Sequence, residues 1–280
     1  MATLKEIKTR IASVRSTLKI TSAMKMVSSA KLHHARQAIG NMLPYEKKLK
    51  SILSNLQGDI SPEIETSSRK VAVIAFSSNT SLCGAFNANA LKKLSGTVKS
   101  LQEEGYEAEI FAIGKKIADG AVKAGLNVVS ANEEIADKPS YKALSEMAAD
   151  MIKRFSDGEY ARVELVYNHC ESSASQPSVR EVYLPIAQRE TQSIDNDYFI
   201  IEPDRQQLLE ELLPKVLKLK LYSVALDADA ASHAARVVAM QMASDNAEKL
   251  LEELTLEFNK RRQQAITSEL LDIVGGSISK

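Results

Sequence analysis

Residues 215–274 read KVLKLKLYSVALDADAASHAARVVAMQMASDNAEKLLEELTLEFNKRRQQAITSELLDIV, sixty residues without a glycine or a proline. Glycine costs backbone entropy in a helix and proline lacks the N–H, so a stretch free of both permits one unbroken helix. At 1.5 Å per residue it would reach about 90 Å, well beyond the diameter of a small domain. The first 39 residues also lack both breakers, which allows a second helix of about 58 Å. All seven prolines lie between Pro44 and Pro214, and eight of the eleven glycines between Gly58 and Gly158, so the breakers are concentrated in the middle. Helices of that length must find each other or something outside a globule.

Leu4, Ile7, Ile11, Val14 and Leu18 recur at 3-4 spacing, the heptad pattern of a left-handed coiled coil. The apolar series then moves to Ile20, Met24 and Val27, which predicts a phase change and local unwinding. Near the other end Leu250, Leu254, Phe258, Ile266 and Leu270 step by fours, with Arg262 in the vacant place. Ala231, Ala234, Ala235, Ala239 and Ala243 give the preceding turns a slim profile. The expectation is a long antiparallel coiled coil of the N- and C-terminal helices, the chain leaving and returning through a domain between them. Two separate core helices are the alternative, and their length counts against it.

The middle alternates strand and helix. Val71–Phe76 reads as a buried strand, followed by a helix over about 88–103, a strand at Ala108–Ile113 and a helix at Lys115–Lys123. Leu126–Val129 is strand-like, Tyr141–Phe155 helical, and Ala161–Asn168 and Val179–Ile186 complete the sheet, with Tyr198–Ile201 as a possible further short strand. Such alternation implies an α/β layer with parallel strands, here a central Rossmann-like domain. The polar, proline-bearing Ser172–Ser178 would link the last two strands, which could form a hairpin. The expected division is 1–57 and 205–280 for the paired helices and 68–202 for the α/β domain.

Composition narrows the function. At 44% apolar and 26% charged, the 280 residues are those of a globular chain, which excludes wholesale disorder. The longest apolar run, Val71–Phe76, is too short to span a bilayer. Cys83 and Cys170 cannot make a disulfide scaffold and match no zinc spacing. Met1-Ala-Thr-Leu-Lys5 leads into no apolar stretch, so no secretory signal is expected, and the chain is read as cytosol-facing and reduced.

The loop after the first strand, Ser77–Asn87, lies where a phosphate loop would sit, yet it carries one glycine, Gly84, and no Gly-Lys-Ser/Thr. The dinucleotide fingerprint needs three glycines for close backbone approach and is absent. Cys83 near a helix N-terminus is a candidate activated thiol, with a small buried turn residue the favoured alternative. His169 and Cys170 are adjacent, so in a strand they face opposite ways. His33 and His34 are not at chelating i,i+4 spacing, and His233 has no evident companion. No catalytic set, cofactor site or metal site is expected.

Charge is more telling. Residues 1–50 hold eleven Lys/Arg against two acids, while the rest of the chain is net acidic. A basic arm suits nucleic acid, an acidic protein surface or a membrane. A mitochondrial presequence is the other reading of such an arm, but its apolar pattern fits a permanent helix. Lys5, Lys8, Arg10, Arg15, Lys19, Lys25, Lys31 and Arg36 face only Glu6, whereas a solvated helix intersperses acids for i,i+4 pairing. Lys260-Arg261-Arg262-Gln263-Gln264 adds a second polar cluster ahead of an apolar end. Basic cuffs on a rod with an apolar tip suggest a shaft held within a partner of acidic lining.

Three segments carry a family resemblance. Met24-Lys25-Met26-Val27-Ser28-Ser29-Ala30-Lys31-Leu32 resembles the N-terminal helix motif of the gamma subunit of F-type ATP synthases. Ser81-Leu82-Cys83-Gly84-Ala85-Phe86-Asn87 resembles that family's Gly-Leu-Cys-Gly-Gly-Phe-Asn turn. Ala239-Met240, Ser244–Ala247, Asn259, Arg262-Gln263 and Ile266–Gly276 are similar to its C-terminal signature. Ser81 and Ala85 replace glycines, and Ser78-Asn79-Thr80 replaces Ser-Asp-Arg, so the turn's backbone is left open. The cysteine-bearing regulatory insertion of chloroplast relatives is missing.

The resemblance implies a non-catalytic central rotor. Its helices would turn inside a hexameric ring of α and β subunits, coupling proton-driven rotation of the membrane c ring to conformational cycling of the β sites. It implies that Met24, Lys25, Arg262 and Gln263 contact β, that Phe199 and Glu202 belong to a foot on the c ring beside the epsilon subunit, and that the chain is peripheral on the cytoplasmic face of the bacterial plasma membrane. No cofactor and no nucleic acid are implied. A basic-armed nucleic-acid-binding protein and an α/β enzyme with helical dimerisation arms are the alternatives. The first leaves the second helix without a purpose, and the second lacks a catalytic set.

Overall fold

The computed structural model describes residues 3–57, 68–186 and 204–278. They fall into two compact units, one of Met1–Ser28 with Val237–Lys280, the other of Ser29–Arg236. Helices α1 (Leu4–Gln57) and α6 (Arg205–Ile278) contribute residues to both.

In the first unit α1 starts at a capping box. Glu6 Oε2 accepts from the Thr3 N–H at 2.8 Å while Thr3 Oγ1 accepts from the Glu6 N–H at 3.3 Å, so two of the helix's orphan donors are satisfied. The heptad that begins at Leu4, Ile7, Ile11, Val14 and Leu18 then continues in phase through Thr21, Lys25 and Ser28. This corrects the expected phase change: Ile20 and Val27 are each 59% exposed, and Met24 is only half-buried. An apolar search follows the greasy side chains, but the seam takes Thr21 and Ser28 because they are small and their hydroxyls can be paired. Thr21 Oγ1 lies 2.8 Å from Ser244 Oγ and also reaches the Leu18 carbonyl at 3.1 Å.

The facing seam on α6 is Met240, Ser244, Ala247, Leu251, Leu254, Phe258, Arg261 and Ala265, again at 3-4 spacing. The expected run of fours is thus overturned. Leu250, Ile266 and Leu270 are 44%, 49% and 58% exposed, Arg262 is exposed, and only Leu254 and Phe258 belong to the seam. Steps of four advance about 40° each around a helix and soon leave any one stripe. The Thr21–Ser244 and Lys25–Gln241 contacts descend on one helix as they ascend on the other, so the pair is antiparallel. That register carries Leu18 opposite Ala247, Ile11 opposite Leu254 and Ile7 opposite Phe258.

The second unit is built on a five-stranded sheet ordered β3-β2-β1-β4-β5. Its strands are β1 (Lys70–Phe76), β2 (Glu107–Ile113), β3 (Val128–Asn132), β4 (Arg162–Asn168) and β5 (Ser178–Leu184). The first four are parallel, and β5 returns antiparallel beside β4 as a hairpin. The connecting helices are α2 (Phe86–Glu103), α3 (Lys115–Lys123), the short α4 (Glu134–Asp137), which the alternation did not suggest, and α5 (Tyr141–Ser156). Strand alternation divides the core. Val71, Val73 and Ala75 face α2 and α3 through Leu94, Leu101 and Ile117, while Ala72, Ile74 and Phe76 face α5 and α6 through Leu144, Met151, Leu217 and Leu221.

Strand β3 lies two to three residues beyond its expected place at Leu126–Val129. Gly125 takes φ +71° at the end of α3, and the Leu126 N–H bonds back to the Ala121 carbonyl at 3.0 Å. Leu126 therefore belongs to a Schellman cap rather than to a strand. Over 216–236 α6 has no exposed position: Leu217, Leu221 and Val224 meet the sheet, whereas Val216, Leu219 and Leu226 meet Met42, Leu49 and Leu53 of α1. A helix that is apolar on every face belongs inside. The possible strand Tyr198–Ile201 lies outside the described residues.

Candidate functional site

On the first unit, Lys25 occupies a seam position and its Nζ donates to Gln241 Oε1 at 2.5 Å. Gln241 Nε2 in turn donates to Asp245 Oδ1 at 2.6 Å. The neutral amide orients the ammonium and forms no ion pair with it. Met24 beside it is half-buried, and Met26 is 65% exposed.

Arg262 and Gln263 are exposed on α6, while Arg261 sits in the seam with its Nε on Glu257 Oε1 at 3.0 Å. The structure does not bring the two expected contact sets together. In the observed register Arg262 lies across from the start of α1, about 32 Å along the helix axis from Gln241 and Lys25. They are two separate zones on one helix pair. Phe199 and Glu202 lie outside the described residues.

On the second unit the strand order sets a switch point between β1 and β4, and open α/β sheets bind ligands in the crevice beyond such strand ends. Here the crevice is filled by α6. Cys83 and Phe86 pack on Ala231 and Ala235, Arg236 donates to the Ser81 carbonyl, and Asp227 receives the loop after β4. Small alanines allow that approach, the use to which α6 puts its slim stretch.

The turn itself is tied down from within. Ser78 N–H and Ser78 Oγ both reach Asn87 Oδ1, at 3.2 and 3.0 Å, and Asn87 Nδ2 donates to the Thr80 carbonyl at 3.3 Å. Those bonds hold Leu82 at φ +68°, an uncommon conformation for a branched residue. Ala85, standing in place of a family glycine, adopts an ordinary right-handed helical conformation with φ −83°, so the replacement costs nothing.

The candidate chemistry resolves into structure. Cys83 is buried at 2% exposure, with its sulfur accepting from Asn87 Nδ2 at 3.1 Å. Burial pushes the Cys170 thiol up against the opposing pull of Arg36, which disfavours a thiolate. His233, expected to stand alone, pairs with Asp229 one turn away at 3.2 Å, an i,i+4 spacing visible in the sequence. His33 and His34 meet edge to face with ring centroids 6.2 Å apart. Among the described residues no cluster of three or more His, Cys, Asp or Glu could hold a metal ion, and no helix is long and apolar enough to cross a membrane.

Asp227 and Ser173 were not singled out by sequence, and Arg36 only as one of the basic residues of the N-terminal helix. The one available signal was an acid embedded in Val224–Ala231, where most of its neighbours are apolar.

Residues 3–279 match the sequence profile of the ATP synthase family. The chain is 50% identical to the ATP synthase gamma chain of Bacteroides thetaiotaomicron over 99% of this chain and all of that one. It is 41% identical to the ATP synthase gamma chain of Flavobacterium psychrophilum over 99% and 98% of the two chains. Among solved structures, a chain of the Euglena gracilis mitochondrial ATP synthase OSCP/F1/c-ring assembly superposes with a TM-score of 0.69 at 19% identity, covering 99% of this chain and 94% of that one. A chain of the Tetrahymena thermophila mitochondrial ATP synthase central stalk and c-ring gives 0.58 at 20% identity, over 80% and 99%. The α/β layer with its paired long helices is thus a shared fold, and by sequence across its whole length this chain belongs to the ATP synthase gamma-chain family.

Proposed function

We propose that this chain is the non-catalytic central rotor shaft of an F-type ATP synthase, coupling proton-driven rotation of a membrane c ring to conformational cycling of catalytic β subunits. The observation that carries this is the antiparallel seam of α1 and α6, which joins residues 223 positions apart in one buried hydroxyl pair. Around that seam α1 presents a basic surface, and α6 leaves Leu256, Leu270 and Ile273 exposed at 71%, 58% and 69%. A helix pair so dressed suits an acidic and apolar sleeve. One structural relative belongs to a central stalk with its c-ring and another to a rotor.

Such a shaft does no bond chemistry. It couples by binding each β conformation with a different free energy at each angle, the only way a partner can shift such an equilibrium. Lys25, with Met24, would meet an acidic β loop: a Lys–carboxylate pair at about 4 Å and an effective dielectric near 20 interacts by about 4 kcal/mol before desolvation. That biases a state and still lets go. Arg262 and Gln263 would meet a second β loop in the zone about 32 Å away, where Arg supplies forked hydrogen bonding. Phe199 and Glu202 would face the c ring beside the epsilon subunit. Functionally the chain divides into 1–57 and 205–280 as shaft and 68–202 as the α/β domain, peripheral to the cytoplasmic face of the plasma membrane.

The test is affinity isolation of the tagged full chain from its own membranes. It should bring α and β subunits and ATP hydrolysis that the chain alone lacks. Recovery without them, or with nucleic acid in a salt-sensitive complex, would refute the proposal.

A further inference from the structure

We propose that the β4–β5 hairpin is a clasp that fastens both long helices to the α/β layer, with Asp227 as the positioning residue that closes it. The fastening stands on contacts within the second unit alone; its mechanical use rests on the rotor function proposed above.

An antiparallel pair such as β4 and β5 needs only two to five residues to turn. This hairpin uses His169–Pro177, and its extra length reaches the helices. The tip is stiffened by its own bonds: Ser172 Oγ accepts from the Ala174 and Ser175 N–H groups at 3.2 and 3.0 Å, and Gln176 Nε2 donates to the Ser172 and Ser173 carbonyls. Toward α6, both oxygens of Asp227 are engaged by consecutive loop residues. Oδ1 accepts the Cys170 N–H at 3.1 Å and Oδ2 meets His169 Nδ1 at 2.6 Å. A carboxylate only accepts, so Nδ1 carries the proton between them.

Toward α1, Arg36 donates to Ser173 Oγ at 3.0 Å. The Cys170 side chain packs against the cluster of Leu32 and Ala35 on α1 with Ala230 and Ala234 on α6. One loop therefore holds both helices at one level.

The chemistry of these contacts differs in kind. Alanine faces give burial without direction, so they resist turning of α6 against the layer only weakly. Charge-assisted hydrogen bonds to a fixed carboxylate are directional. Asp227 is thus one tooth of the joint, beside Arg236 on the Ser81 carbonyl and Lys220 on Glu181, and it is where load carried along α6 enters the hairpin loop.

The test uses the full chain in Asp227→Ala and Asp227→Asn forms. Losing charge-assisted bonds should raise amide exchange across 169–178 by about tenfold or more in Asp227→Ala. It should also raise exchange in 32–39 of α1, which a purely local role would leave unmoved. Asp227→Asn, which keeps an acceptor for the Cys170 N–H, should show a smaller rise. Unchanged exchange in α1 overturns the clasp. In the assembled complex, Asp227→Ala should leave unloaded ATP hydrolysis intact and soften the chain's torsional response. Wild-type stiffness in a rotating Asp227→Ala complex overturns the load-bearing role, whereas a wild-type complex that does not rotate refutes the rotor itself and leaves exchange to decide the clasp.

Discussion

Thr21 and Ser244 offer a sharp test of the helix pairing, because nothing but the antiparallel register couples them. Their hydroxyls are 2.8 Å apart in residues only 8% and 6% exposed. Replacing Thr21 with Val removes one partner while keeping shape, and leaves Ser244 Oγ buried without it. An unsatisfied buried hydroxyl costs about 1–3 kcal/mol. The lower end applies here, since a helical serine can turn its proton to the carbonyl four residues back. Ser244→Ala should likewise cost about 1 kcal/mol, since Thr21 keeps its contact with the Leu18 carbonyl at 3.1 Å. The double variant removes both polar groups and should cost little more than either single change. The coupling energy is then about 1 kcal/mol, outside the scatter of about 0.3–0.5 expected for independent sites. Urea denaturation followed by helical circular dichroism, with amide exchange over 237–251 to report the local transition, gives all four corners of the cycle. Thr9→Val, which removes an exposed hydroxyl bonded to the Lys5 carbonyl, replaces Thr21→Val as the control. Additive single costs in the Thr21–Ser244 cycle would refute the register.

Other perturbations test the contact zones and the layer. Lys25→Glu should disturb coupling or hydrolysis in the assembled complex while leaving the isolated chain folded, and Arg262→Ala should do so less; normal rates and proton pumping in both would remove these residues from the β contacts. Gly114→Ala should lower the melting temperature sharply, because a Cβ there would stand 2.3 Å from the Ser77 carbonyl oxygen at a backbone φ of +108°; a wild-type melt would contradict that packing. Glu109 is held below the ordinary carboxylate range, chiefly by the Lys70 ammonium at 2.8 Å and further by the Tyr160 hydroxyl at 2.7 Å, against burial, which pulls the other way. Its folded-state pKa is depressed, so the stability it supplies is fully present above the ordinary glutamate pKa of about 4.3 and lost as pH falls through the folded value. Urea melts of Glu109→Gln should therefore show a deficit at neutral pH that narrows in acid; a deficit independent of pH would contradict the assignment.

How much of this was legible depended on whether local pattern decided each element. Val71–Phe76 could be read because a strand buried on both faces has no polar alternation to disguise it. Two long helices could be read because breakers are absent from 1–39 and 215–274, although α1 and α6 also run through Pro44 and Pro214. Their seam could not be traced past Leu18, since Thr21 and Ser28 are acceptable there only because a facing helix offers Ser244 and close packing. On α6 the apolar residues outnumber the seam, and several of them face outward. Leu126 is apolar and follows a glycine, which suits a strand start and a Schellman cap alike. The proposed β-contact residues came from family motifs, and Lys25 illustrates the limit: its bond to Gln241 spans 216 residues. Asp227 and His169, 58 residues apart, meet only once β4 lies beside β1 and α6 fills the crevice.

The most direct measurement is rotation of this chain itself. With the complex immobilised through its β subunits and a bead fixed to an exposed position of this chain's α/β layer, ATP should drive stepwise rotation in one direction, stopping when nucleotide is removed. Hydrolysis at full rate with the chain stationary relative to β would contradict the account.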